Sequence, residues 1–118
     1  MDKRTEELRE RTKDFAMRIV YLFRSLPPAP EAQIIGKQLL RSGTSVGANY
    51  HAACRARSKA EFISKIGVVT EEADETVFWI ELLCKVGIMR KERLENLLNE
   101  ARELTAIFSA SRHTAKGR

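Results

Sequence analysis

Apolar residues recur at alternating spacings of four and three through four separate segments of this chain, and that period leaves few folds open. Leu8, Thr12, Phe15, Ile19, Leu22 and Leu26 form the first series, and Ile35, Leu39, Ser42, Val46, Asn49 and Ala53 the second. Phe62, Ile66, Val69, Ala73, Thr76, Ile80 and Leu83 form the third; Leu94, Leu97, Ala101, Leu104, Phe108 and Ser111 form the fourth. This is the a/d period of helices crossing at a shallow angle, and no segment shows the period of two that a half-buried strand needs.

The punctuation between segments agrees. Pro27-Pro28-Ala29-Pro30 stops the first helix, and Pro30-Glu31 suits the first turn of the second. Ser58-Lys59-Ala60-Glu61 has the spacing of a capping box, which predicts a third helix starting at Ser58 with almost no loop before it. Gly87 closes that helix as a C-terminal glycine. Short connections make successive helices antiparallel neighbours, so the fold class is all-α, an up-down-up-down four-helix bundle. A chain of 118 residues that is 43% hydrophobic can build one core and not two. The domain is therefore expected over residues 1–113, with 114–118 a disordered tail that has nothing to bury.

Two glycines four apart, Gly43 and Gly47, lie inside the second helix. Each costs roughly 1 kcal/mol relative to alanine, and the usual compensation is close approach of another backbone. A tight turn at Arg57–Ser58 puts Arg41 level with Asp74, within one turn of Glu71 and Glu75. A shielded inter-helix ion pair from Arg41 to Glu71, Asp74 and Glu75 is the expectation. The same register separates Cys54 from Cys84 by roughly 35 Å, which excludes a disulfide within one chain.

Some apolar residues do not fit the seam. Phe78 falls at an outward heptad position with Trp79 beside it, and Met17, Val20, Tyr21, Ile34 and Leu40 are also off the a/d positions. Met17, Val20, Tyr21, Phe78 and Trp79 are read as a self-association surface; a wider apolar stripe accounts for Trp79 and Val20 but less easily for Phe78.

The chemical candidates are few. Glu71-Glu72-Ala73-Asp74-Glu75 invites a metal reading, but neither His51 nor His113 has a glutamate three residues before it, as a di-iron bundle requires. His51 has no triad partners, Cys54 and Cys84 are not in a metal-like or redox-like pair, and Gly43-Thr44-Ser45-Val46-Gly47 lacks the lysine of a phosphate loop. No catalytic residue, metal or cofactor is assigned. With neither a leader nor an apolar run near the roughly 20 residues of a membrane span, a cytoplasmic protein without a membrane partner is expected.

The net charge of +5 is unevenly spread. Pro30 to Arg57 holds four basic residues against one acidic, and Arg90 to Arg118 seven against four. Lys37, Arg55, Arg57, Lys59 and Lys65 are the candidate nucleic-acid contacts, with Arg55, Arg57 and Lys59 clustered beside the helix 2–3 turn. The competing reading is a solvated helix end whose cations complement the dipole.

Taken together, Arg41 to Tyr50, Ala53 to Phe62 and Glu71 to Leu83 resemble a bacterial four-helix bundle family encoded in intervening sequences of 23S rRNA genes and given a ribosomal-protein-like label. The resemblance runs from Phe15 to about Leu104. It implies an antiparallel bundle that assembles as a ring-shaped homopentamer. The family is also similar in fold to the accessory protein of diversity-generating retroelements, a basic pentameric barrel that binds nucleic acid and a reverse transcriptase. The expected function is a non-enzymatic homo-oligomer that binds RNA or DNA, with a protein-interaction scaffold as the alternative.

Overall fold

The computed structural model describes residues 1–117 and contains four helices: α1 (Lys3–Arg24), α2 (Pro30–Ala53), α3 (Lys59–Lys85) and α4 (Lys91–Lys116). They form an antiparallel rod with extents of 46 × 22 × 22 Å. Each helix packs on its sequence neighbour, α1 meets α4 sparsely, and the diagonal backbones stay apart, with Tyr50 of α2 reaching Phe108 of α4 across the core. The four helices thus occupy the corners of a square.

Local chemistry sets the ends. The Asp2 carboxylate accepts from Thr5 N at 2.8 Å and caps α1. Pro30 opens α2, where its missing N–H costs nothing. Ser58 Oγ accepts from Glu61 N at 3.0 Å, and the Glu61 carboxylate reaches back to Arg57 N at 2.9 Å, one residue before the usual capping-box donor. Gly87 has φ +79°. Its N–H donates to Cys84 O, while Ile88 N donates to Leu83 O, both at 3.1 Å, which completes a Schellman motif.

Three expectations need correction. The connection between α2 and α3 is the five-residue stretch Cys54–Ser58 rather than a tight turn. Arg55 N and Ala56 N bond back three residues, to Ala52 O and Ala53 O, which tightens the last turn and takes the chain off the helix axis. At the C-terminus α4 continues through Lys116, with Gly117 N donating to His113 O at 2.9 Å, so residues 114–116 belong to the helix. The last residue of the expected tail, Arg118, lies outside the described residues. Along α2 the buried face has rolled: Ala32, Gly36 and Tyr50 are buried, while Ile35 and Asn49 are only half-buried. A helix of 3.6 residues per turn drifts against a strict seven-residue repeat, and small residues at 36, 43 and 47 let the side toward α1 sink in.

Elsewhere the seam is largely as spaced, although Phe62 and Ser111 at the end of the rod are only half-buried. Phe15, Ile19, Leu39, Val46, Ile66, Val69, Ile80, Leu83, Leu94, Leu104 and Phe108 are all fully enclosed. One polar pair sits among them. Thr76 Oγ1 and Ser42 Oγ lie 3.0 Å apart with both residues shielded from water, and Thr76 Oγ1 also bonds to Glu72 O at 2.7 Å. A hydroxyl pair in an apolar core is broken if α3 slips along α2, so it pins their register. Gly43 faces the Ile19 side chain and Gly47 the backbone at Thr12, so both glycines meet α1.

Candidate nucleic-acid interface

An even number of antiparallel helices brings the start of α1, the end of α2, the start of α3 and the end of α4 to one end of the rod. Lys3, Arg4, Arg55, Arg57, Lys59, Arg112 and Lys116 therefore converge there, and all are exposed. The acidic residues of the same end are Asp2, Glu6, Glu7 and Glu61, of which Asp2 and Glu61 are committed to capping bonds. The Asp2 carboxyl is held below its usual range by the Thr5 hydrogen bonds. Among the described residues none of the seven cations makes an ion pair.

In the middle of the rod three arginines, Arg11, Arg41 and Arg102, are paired with carboxylates, whereas Arg9 and Arg18 are not. Arg11 Nε lies 2.7 Å from Glu100 and its Nη2 2.7 Å from Glu103, which ties α1 to α4 across their sparse seam. These carboxylates raise the Arg11 pKa, and Arg11 lowers that of Glu100. Arg102 pairs with Glu81 at 2.6 Å between α4 and α3. Arg41 pairs with Glu75 and, at 3.2 Å, with Glu72. The expected partners Glu71 and Asp74 instead face water, because the α3 stripe next to α2 carries positions 72, 75 and 79. Arg41 is itself 48% exposed, so the pair is a surface network and not a shielded one. Trp79 joins it by donating Nε1–H to Glu75 at 2.9 Å.

The predicted basic set divides. Arg55, Arg57 and Lys59 lie together at the basic end, with Lys65 half-buried farther along α3. Lys37 is exposed but lies 18 residues from Arg55 along the α2 side, roughly 27 Å at the helical rise, and belongs to the other end. Sequence reasoning missed Lys3, Arg4, Arg112 and Lys116. Their signal was the topology itself, since any basic residue near the N-terminus of α1 or the C-terminus of α4 must arrive at this end.

Met17, Tyr21, Ile34, Val68 and Phe78 are exposed, while Val20 and Trp79 are half-buried. Phe78 packs edge-on against Trp79 with ring centroids 4.8 Å apart. Met17 and Tyr21 point outward from the α1 corner, and Val68 and Phe78 from the opposite α3 corner.

His51 is structural, with Nδ1 2.8 Å from Gly47 O. Among the described residues no group of three histidines, cysteines or carboxylates is arranged to hold a metal, and both cysteines are free. Among the described residues no helix is long and apolar enough to cross a membrane. An open cleft of about 870 Å³ beside the basic end is lined by Tyr50, Cys54 and the first residues of the chain. Burial and then the neighbouring Cys54 push the Tyr50 hydroxyl up to about 12, and its ring packs on Phe108 at 5.0 Å.

A family model described as 23S rRNA-intervening sequence protein matches residues 4–110. The chain belongs to that family. A solved relative agrees: the crystal structure of a protein with unknown function from the S23 ribosomal protein family of Bacteroides thetaiotaomicron is 34% identical. The match covers 92% of this chain and 97% of that one, with a TM-score of 0.85. Comparison with curated proteins gives no match. Family membership thus fixes the bundle and its connectivity. Neither description names a ligand, a reaction or an oligomeric state.

Proposed function

We propose that this family member is a non-enzymatic, homo-oligomeric bundle that binds RNA or DNA through the basic end of the rod. The observation that carries this reading is the convergence of seven exposed cations on one end face of the rod. The opposite end, with Arg24, Lys37, Lys85, Arg90, Lys91 and Arg93, is also basic and without ion pairs among the described residues. Arg11, Arg41 and Arg102 are each matched by carboxylates, whereas the seven cations at one end have none among the described residues. A polyphosphate backbone meeting such a surface releases its condensed counterions, and the contacts need no base-specific donor set. No cofactor is needed for this role, and cytoplasmic residence is consistent with it.

Self-association supports the same function by repetition. The two apolar patches lie on opposite corners and differ in composition, which suits a head-to-tail contact rather than a two-fold one. Head-to-tail contacts close into a ring when the rotation per subunit fits, and the family resemblance implies five subunits. Each subunit then adds its basic end to one rim.

The acidic outer stripe of α3, where Glu71 and Asp74 flank the exposed Phe78, favours a second reading: a scaffold that binds another protein and no nucleic acid. Fluorescence anisotropy with a labelled single-stranded RNA, repeated from low to high salt, separates the two. Nucleic-acid binding predicts a log–log salt slope of about −0.7 for each phosphate neutralised. Absence of binding at low salt removes the leading reading and leaves the scaffold.

A further inference from the structure

We infer that the cleft between α3 and α4 near the basic end, seated on Gly67, is a phosphate-binding subsite for a nucleic-acid backbone. This deepens the RNA- or DNA-binding reading and rests on it. Gly67 is buried in the interior of a 27-residue helix, where glycine is a poor choice unless something needs the space. A Cβ at that position would lie 3.1 Å from Arg112 Nε, 3.2 Å from Cζ and 3.3 Å from Nη2. The glycine therefore seats the Arg112 guanidinium directly on the α3 backbone.

That guanidinium has no acceptor. Arg112 makes no hydrogen bond or ion pair among the described residues, although arginines 11, 41 and 102 each find carboxylates. The adjoining cleft, about 470 Å³ in volume, is lined by Thr70, Ser109, His113 and Lys116 besides Arg112, with Gly117 at its edge. No carboxylate is among them. Thr70 Oγ1 is engaged with Ile66 O at 2.8 Å, but the Ser109 hydroxyl has no partner and can donate.

This donor set suits an oxyanion such as a backbone phosphate. A planar guanidinium offers two parallel donors to two phosphate oxygens, Lys116 adds a mobile point charge, and Ser109 supplies a neutral donor. Packing on Gly67 confines Arg112 before the ligand arrives, so less freedom is lost on binding. Arg112 lies on the α4 side about level with Ser64, and Lys116 near Lys59. The subsite thus continues the surface of Arg55, Arg57 and Lys59 around the edge of the rod.

The test uses the full chain and two variants, Arg112→Gln/Lys116→Gln and Gly67→Ala. Anisotropy with single-stranded RNA should show the double variant's salt slope smaller by about 0.7 for each phosphate it no longer neutralises. Gly67→Ala, which shifts the guanidinium by only a few tenths of an ångström while keeping every charge, should leave the salt slope unchanged and weaken binding slightly. In parallel, amide shifts of Gly67, Thr70 and Ser109 are followed while inorganic phosphate is added to the wild type and to the double variant. If wild type binds RNA and the double variant has the same slope, the subsite is wrong and the RNA reading stands. If wild type binds no RNA, that reading falls and the phosphate titration decides. Shifts in wild type that vanish in the double variant then keep a small-anion site, and unmoved amides overturn it.

Discussion

Gly47 packs directly on the backbone of Thr12: a Cβ at position 47 would sit 3.2 Å from the Thr12 carbonyl oxygen and 3.4 Å from its carbon. Backbone cannot rotate out of the way as a side chain can. Gly47→Leu should therefore force α1 and α2 apart and destabilise the bundle by about 1–3 kcal/mol. Chemical denaturation checks this, and an unchanged or raised midpoint would place the glycine on an open surface.

Arg41 gives a smaller effect than its position in the sequence suggests. It is half exposed, and of its partners Glu75 keeps contact with water while Glu72 is more covered. Arg41→Met is expected to cost about 1 kcal/mol or less, as surface pairs do. A loss of several kcal/mol in a denaturant titration would mean that the network is buried in solution, for example by a neighbouring subunit.

The Arg11–Glu100 pair should make stability pH-dependent. Glu100 is held below its ordinary range by Arg11, so its folded pKa lies below its unfolded one. The contribution is then present above the unfolded value, about 4.3, and is lost as pH falls through the folded one. Removing the partner with Arg11→Met should cost about 1–2 kcal/mol near neutral pH, because the pair is partly shielded. The difference between wild type and variant should shrink below about pH 4; thermal melts across the acid range would show whether it does.

Phe78→Glu tests the assembly. The side chain is 55% exposed in the isolated subunit and edge-packed on Trp79. Burying such an aromatic stabilises an interface by roughly 2 kcal/mol, repeated at every interface of a ring. Multi-angle light scattering should give a multimer for wild type and smaller species for the variant, with helical circular dichroism retained. A wild-type protein that elutes as a clean monomer at micromolar concentration ends the ring hypothesis. It also weakens nucleic-acid binding, which then rests on a single basic end.

The helices, their order and most of their buried faces were legible in the chain, because helical periodicity and end signals are local. The a/d spacing marked Phe15, Ile19, Leu39, Ile80 and Leu104 correctly, and Ser58 and Gly87 marked ends through bonds spanning only a few residues. Family membership was legible for the same reason, in the run from Arg41 to Leu83.

What the tertiary structure decided depends on rotation and level between helices, which no local signal carries. A rotation of α3 by one position exchanges Glu71 for Glu72 and Asp74 for Glu75 as partners of Arg41, and the sequence offers all four. The roll of α2 toward α1 depends on how far Gly36, Gly43 and Gly47 let two backbones approach. Gly67 had no visible purpose until α4 laid Arg112 across it. The basic end likewise joins residues more than a hundred positions apart, such as Arg4 and Arg112. Sequence determined which segments are helical and what each can bury; packing determined which charges meet and which are left without a partner.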